Sequence, residues 1–270
     1  MSEPRWARLT LIVIAGLFVG IMVGLPVLVV FVEAFRNGFS AYASTFSNPY
    51  NWKSIELSLW VTGITVPCNV LFGVAAAWLL TKFRVRGEQA VLSLTNLPFT
   101  ISPVVVGLLY VLMLGAHSPL GSWLEENGLQ IIYNTPGLVL VTMFVTMPFV
   151  VGELVPLMRA QGTEEEETAL LFGANGWQMF WHVTLPNIKW GLLYGVLLCT
   201  ARALGEFGAV SVVSGHIEGK TNTIPLQVGM LYDEYQFASA FALSSILTLL
   251  AIATLILRRV IERKTESTVR

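Results

Sequence analysis

Arg202 and Glu206 lie four residues apart in a long stretch that holds no other charged residue, WGLLYGVLLCTARALGEFGAVSVVS. On a helix this spacing lets the two side chains face each other one turn apart on the same side. Charges in an apolar environment are costly and by default indicate a functional site. The alternative is a structural ion pair that holds one helix against a neighbour. The sequence alone leaves both interpretations open.

Two other patterns could indicate nucleotide or metal binding, but neither meets the requirements of such a site. Residues 214–221, SGHIEGKT, nearly match a phosphate-binding P-loop, but Ser214 stands where the first glycine of the motif belongs. We interpret this segment as a solvated loop. His117, His182 and His216 are scattered along the chain, so no metal site is indicated. The sequence therefore predicts no catalytic residue, no metal and no cofactor bound by this chain.

The composition places the chain in a lipid bilayer. Hydrophobic residues make up 54% and charged residues 12% of the sequence, whereas a globular domain has about 25% charged residues. A helix needs about 20 apolar residues to cross the hydrocarbon layer. Six such runs occur, and we expect them to be membrane-spanning helices of an all-α polytopic protein forming one transmembrane domain, residues 1–270. The predicted spans are residues 9–35, 55–80, 92–115, 137–157, 190–214 and 238–257.

The first run also follows two arginines, Arg5 and Arg8, as the core of a signal peptide would. It is longer than a signal-peptide core of about 7–15 residues, and no small-residue cleavage site follows it. We therefore expect it to be a span.

The distribution of lysine and arginine predicts the orientation, because these residues concentrate in cytoplasmic loops. With both termini in the cytoplasm, only Arg36, Lys53 and Lys220 lie in outside loops. The residues then assigned to the cytoplasm are Arg5, Arg8, Lys82, Arg84, Arg86, Arg159, Lys189, Arg258, Arg259, Arg263, Lys264 and Arg270. The net charge of -1 leaves no basic face for nucleic acid.

This topology leaves one long cytoplasmic connection, residues 159–189, which we call the 159–189 loop. Thr163 is placed to cap a short helix whose first turns hold the acidic residues 164–167, where carboxylates complement the helix dipole. Gly173 is predicted to end this helix.

A second short helix is predicted to follow Gly176. Trp177, Phe180 and Trp181 recur at helical spacing and form an aromatic stripe, and Leu185 and Pro186 are expected to end the helix. A short helix with aromatic anchors is suited to a groove on a partner protein. An interfacial helix lying on the membrane is the alternative.

The loop resembles the EAA loop of importer-type ABC permeases: Glu-Ala-Ala, three residues, Gly, nine residues, an aliphatic residue, one residue and Leu-Pro. The matching positions are Glu167, Thr168, Ala169, Gly173, Val183, Leu185 and Pro186. Only Thr168 departs from the pattern. The resemblance implies that the loop docks on a separate ATPase subunit and couples ATP hydrolysis to transport. The docking residues would be Glu167, Ala169, Gly173, Trp177, Phe180, Trp181, Leu185 and Pro186.

The segments GWQMFWHVTLPNIKWGLLYGV and ARALGEFGAVSVVSG are similar to W-type permeases of sulfate/thiosulfate importers, and this likeness extends over most of the chain. It implies a bacterial inner-membrane subunit that forms half of a translocation pore. The implied partners are a T-type permease paralogue, two ATPase subunits that bind ATP and Mg²⁺, and an extracytoplasmic sulfate-binding protein.

The same resemblance suggests a substrate path near spans three and five. Arg202 would raise the positive potential along the anion path, and Glu206 would orient the Arg202 side chain. Ser102 and Pro103, together with Pro98, are predicted to interrupt span three, and Pro148 to interrupt span four. Broken helices free backbone N–H groups that suit an oxyanion. A simple packing kink is the alternative.

Three rival functions are open. A molybdate-type permease would pair with itself. An ion-coupled secondary transporter would be expected to show internal repeats, and we see no convincing repeat. An intramembrane enzyme would need a nucleophile and base or metal ligands within the spans, where only Glu153, Arg202 and Glu206 are available.

Overall fold

The computed structural model describes residues 5–83 and 86–268, and these ranges contain helices, turns and short loops without a β-strand. Arg84 and Arg270, two of the charges assigned to the cytoplasm, lie outside the described residues. The helices are α1 (Arg5–Val19), α2 (Leu25–Ala34), α3 (Gly38–Ser47), α4 (Pro49–Lys82), α5 (Glu88–Thr100), α6 (Pro103–Leu114), α7 (Pro119–Glu126), α8 (Thr135–Gln161), α9 (Glu164–Leu171), α10 (Gly176–Met179), α11 (Leu185–Leu204), α12 (Gly208–Ser214), α13 (Ile224–Asp233) and α14 (Phe237–Thr268). Two π-helical turns, Gly20–Gly24 and Phe180–Thr184, join α1 to α2 and α10 to α11. The predicted all-α class is confirmed.

Each of the six predicted spans has a helical counterpart. Among the described residues, four helices are long and apolar enough to cross a membrane: Arg8–Ala34, Pro49–Lys82, Thr135–Gln161 and Phe237–Leu257. Spans three and five are instead bent pairs, α5 with α6 at 107° and α11 with α12 at 51°. The break in span three lies at Ser102 and Pro103, where an interruption was predicted, whereas the break in span five was not predicted.

Proline explains the break in span three but not the one in span five. Ile101 and Ser102 both lie outside the helical region before Pro103. For Ser102 the cause is Pro103 itself, because the residue directly before a proline disfavours the helical region. Pro98 lies inside α5, and Pro148 lies inside the unbroken α8. The predicted interruption of span four was wrong, since neighbouring helices can satisfy the backbone groups that a proline frees.

The centre of the bundle is formed by α4, α8 and α11. Asn69 on α4 donates hydrogen bonds to the Met143 carbonyl (3.1 Å) and to Thr146 Oγ1 (2.7 Å) on α8, and its amide lies 3.8 Å from Cys199 Sγ on α11. Asn69 is 2% exposed. A buried amide that is satisfied by two neighbours fixes their relative position more specifically than apolar packing does.

A second polar cluster connects α13 to α4 at the opposite end of the bundle from the 159–189 loop. Gln227 on α13 donates to Asn51 Oδ1 (3.3 Å) and accepts from Asn222 Nδ2 (3.2 Å), while the Ile224 amide donates to Ser58 Oγ (2.8 Å). Helix α13 was not predicted from the sequence, where the segment between spans five and six is assigned to an outside loop.

The half-helices α6 and α12 pack closely against each other at Gly107. A Cβ atom at Gly107 would lie 2.7 Å from the Ala209 carbonyl oxygen and 2.8 Å from Val212 Cβ. Both distances are shorter than van der Waals contact, so any side chain at position 107 would push the two half-helices apart. Glycine is therefore required by packing here.

We expect Gly107→Val to lower the stability of the folded chain by about 1–3 kcal/mol through overpacking. Gly63→Val is the matched control, because no atom lies within 4 Å of a Cβ built at Gly63. The midpoint of thermal unfolding in detergent should fall for Gly107→Val and stay close to the wild-type value for Gly63→Val. Equal midpoints for the two variants would show that α6 and α12 do not pack as described.

Candidate functional site

The first half of the 159–189 loop folds as predicted around Gly173. The Gly173 amide donates to the Leu170 carbonyl (2.9 Å) and the Ala174 amide to the Ala169 carbonyl (3.0 Å). Gly173 has a φ of +86°. This is the Schellman arrangement that ends a helix with glycine in the left-handed conformation. The bend thus depends on backbone angles that glycine adopts without strain.

Thr163 occupies the N-cap position of α9, but its side chain does not cap the helix. The Thr163 hydroxyl donates instead to Glu167 Oε1 at 2.7 Å. The predicted capping role of the hydroxyl was wrong because the Glu167 carboxylate, one turn on, is the stronger acceptor. This contact holds the exposed Glu167 side chain over the start of α9.

The second helix of the loop begins at a full capping box. Asn175 Oδ1 accepts from the Gln178 amide (2.8 Å), and Gln178 Oε1 accepts from the Asn175 amide (3.0 Å). Such reciprocal bonds define a helix N-terminus. The loop therefore consists of a helix, a glycine bend and a well-capped second helix start.

Leu185 and Pro186 do not end this second helix, so the prediction of a separate short helix was wrong. The Leu185 amide donates to the Phe180 carbonyl five residues back, as in a π-helical turn, and α11 then runs on to Leu204. A proline in a regular helix clashes with the carbonyl four residues earlier. The wider turn directly before Pro186 avoids this clash. The loop is consequently joined to span five without a break.

The aromatic stripe has an inner and an outer side. Phe180 lies 5.4 Å from Trp78 of α4, measured between ring centroids, while Trp177 packs on both Phe180 (6.2 Å) and Trp181 (5.7 Å). Trp177 is 71% exposed. Phe180 therefore attaches the stripe to α4, and Trp177 and Trp181 remain available to a partner.

An apolar tip at the end of α9 was missed by the sequence analysis. Leu171 and Phe172 are each 89% exposed, next to the half-exposed Leu170. The signal was present in the sequence as a run of three large apolar residues, LLF, directly before Gly173. Large apolar side chains that protrude from a polar loop are typical of an interaction site.

The inner face of the loop is held by polar contacts that were also not predicted from the sequence. Buried Glu166 forms an ion pair with Lys82 and accepts a hydrogen bond from Thr184. Gln161 Nε2 donates to the Asn187 carbonyl (3.0 Å). Arg159 forms an ion pair with Glu88, and the Asn187 amide donates to Glu165. These contacts hold the loop against the ends of α4, α5 and α11.

Arg202 and Glu206 form the ion pair that their spacing predicted, with 2.5 Å between Nη1 and Oε2. Glu206 is 2% exposed, and its second oxygen accepts from the Ala209 amide (2.9 Å), so the carboxylate also caps α12. The Arg202 side chain is 33% exposed. The carboxylate is therefore committed to the bend between α11 and α12, whereas the Arg202 side chain is in part accessible.

The breaks in spans three and five meet. A Cβ at Gly208 would lie 3.1 Å from Pro103 Cβ and 3.5 Å from Val104 Cγ2. Ser102 is exposed directly before this contact. The structure thus brings the first residues of α6 and of α12 together beside Glu206.

The segment that resembles a P-loop is held by its own polar groups. Thr221 is buried, donates to the Ser214 carbonyl (2.7 Å) and accepts from the Ile217 amide (3.1 Å). Ser214 is also buried, so the interpretation of 214–221 as a fully solvated loop was wrong at both of its ends. Among the described residues, no group of three or more His, Cys, Asp or Glu side chains could hold a metal.

The chain resembles known transport proteins over nearly its whole length. Residues 69–267 match the family described as "Binding-protein-dependent transport system inner membrane component". The "Sulfate transport system permease protein CysW" of Escherichia coli K12 is 48% identical over 263 residues, covering 97% of this chain and 90% of the relative. The "Sulfate transport system permease protein CysT" of the same strain is 31% identical over 231 residues, covering 86% of this chain and 83% of that protein.

The fold is shared with a solved transporter. A chain of a bacterial alginate ABC transporter, crystallised in complex with an alginate pentasaccharide-bound periplasmic protein, superposes with a TM-score of 0.77. The identity is 18%, and the match covers 96% of this chain and 95% of that chain. The likeness supports a multi-pass membrane fold. The family match and the 48% identity confirm the class predicted from the EAA-like loop: the chain belongs to the family of inner membrane components of binding-protein-dependent transport systems.

Proposed function

We propose that this chain is the transmembrane permease subunit of an ATP-driven sulfate/thiosulfate importer and forms half of its translocation pore. The observation that carries the proposal is the 48% identity to a sulfate permease over 97% of the chain. The EAA-like loop, with its bend at Gly173 and its exposed apolar tip, supports the ATP-driven class.

The second half of the pore is a T-type paralogue. Escherichia coli K12 has both the 48% identical CysW protein and the 31% identical CysT protein, each named as a sulfate permease. The presence of two related permeases in one strain supports a heterodimer. A molybdate-type homodimer is the second candidate, because an EAA-like loop does not distinguish the two. An ion-coupled secondary transporter is disfavoured by membership of the binding-protein-dependent family.

Two copies of a separate ATPase subunit bind ATP and Mg²⁺ and drive the pore. The docking region for one copy comprises the residues predicted from the sequence, Glu167, Ala169, Gly173, Trp177, Phe180, Trp181, Leu185 and Pro186, extended by Leu171 and Phe172. Within it Phe180 holds the aromatic stripe to α4, and Trp177 and Trp181 face the partner. An apolar tip beside carboxylates fits a partner groove that is apolar at its base and basic at its rim. Because α10 continues into α11, movement of the loop is transmitted directly to span five.

An extracytoplasmic sulfate-binding protein delivers the substrate. In this arrangement the chain lies in the bacterial inner membrane with both termini and the 159–189 loop in the cytoplasm. The lysine and arginine distribution supports this orientation. The structurally related alginate transporter was crystallised with a periplasmic protein, which supports the same type of partnership here.

The substrate path passes Arg202 at the bend of span five. Its side chain is one-third exposed and its guanidinium is held by Glu206, and an arginine carries five N–H donors in a planar array suited to oxyanions. Ser102 and Pro103 lie at the adjacent break in span three. Arg202 attracts the anion, and Glu206 sets the orientation of Arg202.

The chain should bind no nucleotide itself and should acquire ATP-driven uptake only with its ATPase. We expect photolabelling of the complete, co-expressed transporter with an ATP analogue to label the co-purified ATPase and not this chain. In proteoliposomes the same complex should import sulfate when ATP and binding protein are supplied. Specific labelling of this chain, or sulfate uptake by this chain alone, would contradict the proposal.

A further inference from the structure

Lys82, Glu166 and Thr184 form a buried polar junction beneath the 159–189 loop. The Lys82 Nζ atom lies 2.7 Å from Glu166 Oε2, and Thr184 Oγ1 donates to Glu166 Oε1 at 2.7 Å. Lys82 also donates to the Gly162 carbonyl at 2.5 Å. Both charged side chains are 9% exposed and Thr184 is 2% exposed. The junction is therefore sequestered from water, although it lies next to highly exposed residues.

Each of the three side chains comes from a different element. Lys82 is the last residue of α4, Glu166 lies in the first turn of α9, and Thr184 is the last residue of the π turn before α11. One carboxylate oxygen of Glu166 thus binds Lys82 at the end of α4, and the other binds Thr184 directly before α11, the helix of span five. Among the four consecutive glutamates 164–167, only Glu166 is buried.

A buried ion pair is a weak source of net stability, because desolvation of two charges offsets most of their attraction. Apolar residues of similar volume can stabilise a buried site as much as an ion pair does, but they form no directional bond. Two charge-assisted hydrogen bonds on one carboxylate have strict geometry. The junction is therefore suited to setting the orientation of α9 relative to α4 and α11.

We propose that Glu166 is a positioning residue for energy coupling: through Lys82 and Thr184 it fixes the 159–189 loop to the ends of α4 and α11, so that loop and helices move as one body. This inference rests on the proposed function as an ATP-driven permease. Glu166 itself is buried beneath the surface that the ATPase contacts. It acts by keeping Leu171, Phe172 and Trp177 in register with the helices that must move.

The test compares matched substitutions in the complete transporter reconstituted in proteoliposomes. The readout is sulfate imported per ATP hydrolysed, with membrane insertion and ATPase content measured beside it. We expect Glu166→Gln and Thr184→Val to lower this ratio by about tenfold, the change expected when a hydrogen bond to a charged group is lost. Thr184→Ser keeps the hydroxyl and should retain the wild-type ratio. Glu164→Gln removes the same charge from an exposed position of α9 and should also retain it.

Several outcomes separate the possibilities. A wild-type ratio in assembled Glu166→Gln or Thr184→Val transporter would overturn the positioning role. Failure of Thr184→Val to insert would also overturn it, because the contact would then serve folding alone. Loss of the ATPase from an inserted Thr184→Val chain, with Thr184→Ser retaining it, supports the role. If the wild-type complex lacks ATP-driven uptake, the proposed function fails instead.

Discussion

Gly173→Val should abolish sulfate uptake while the chain still inserts into the membrane. Gly173 has a φ of +86°, and its amide takes part in the bonds that reverse the chain after α9. A β-branched residue in this conformation is strained by about 1–3 kcal/mol. The bend would open to relieve the strain. Leu171, Phe172 and Trp177 would then no longer form one surface for the ATPase.

Space is not the obstacle at this position, because no atom lies within 4 Å of a Cβ built at Gly173. Gly173→Asn is therefore the matched control, since asparagine tolerates the left-handed region far better than valine does. Uptake should be mostly retained by Gly173→Asn and lost by Gly173→Val, with equal amounts of both in the membrane fraction. Normal uptake by a well-inserted Gly173→Val chain would refute this view of the bend.

The parts of the structure that could be predicted are those set by local sequence. An apolar run of sufficient length must be a helix in lipid, because no water satisfies its backbone groups. Gly173 and the pair Asn175 and Gln178 specify a helix end and a helix start within a few residues. The positions of the spans and the bend in the 159–189 loop could therefore be predicted from the sequence.

The parts that could not be predicted depend on distant residues. Lys82 and Glu166 are far apart in the sequence, and a run of four glutamates gives no sign of which one is buried. The break after Leu204 contains no proline. It is held by the Glu206 cap on Ala209 and by the contact of Gly208 with Pro103. Tertiary contacts of this kind override the helical tendency of an apolar stretch.

The bend of span five should be sensitive to each member of the Arg202–Glu206 pair. Removing Arg202 leaves the buried Glu206 carboxylate without its counter-charge, and replacing Glu206 with leucine also leaves the Ala209 amide uncapped. Leaving a buried charge uncompensated costs about 3–5 kcal/mol, which applies to Glu206; Arg202, one-third exposed, is left at a smaller cost when Glu206 is removed. Arg202→Met and Glu206→Leu should therefore each lower the unfolding temperature in detergent and the yield of assembled transporter.

A double variant separates the structural role of the pair from a role in the anion path. Arg202→Met with Glu206→Gln leaves no unpaired charge, and the glutamine carbonyl still accepts from the Ala209 amide, so the complex should assemble normally. Arg36→Met with Glu33→Gln is the control, because this pair is largely exposed and such pairs contribute little.

We expect the assembled Arg202→Met/Glu206→Gln transporter to import sulfate poorly, with a weakened apparent affinity or a reduced turnover. The reason is that the Arg202 side chain, one-third exposed, brings a positive charge to the bend, where α11 ends and the two broken spans meet. An apolar methionine offers an oxyanion no hydrogen bond, and the neutral glutamine adds no positive potential. Uptake should be measured against external sulfate concentration in proteoliposomes that hold equal amounts of each complex. Wild-type uptake by the assembled double variant would assign the pair to the architecture of span five alone.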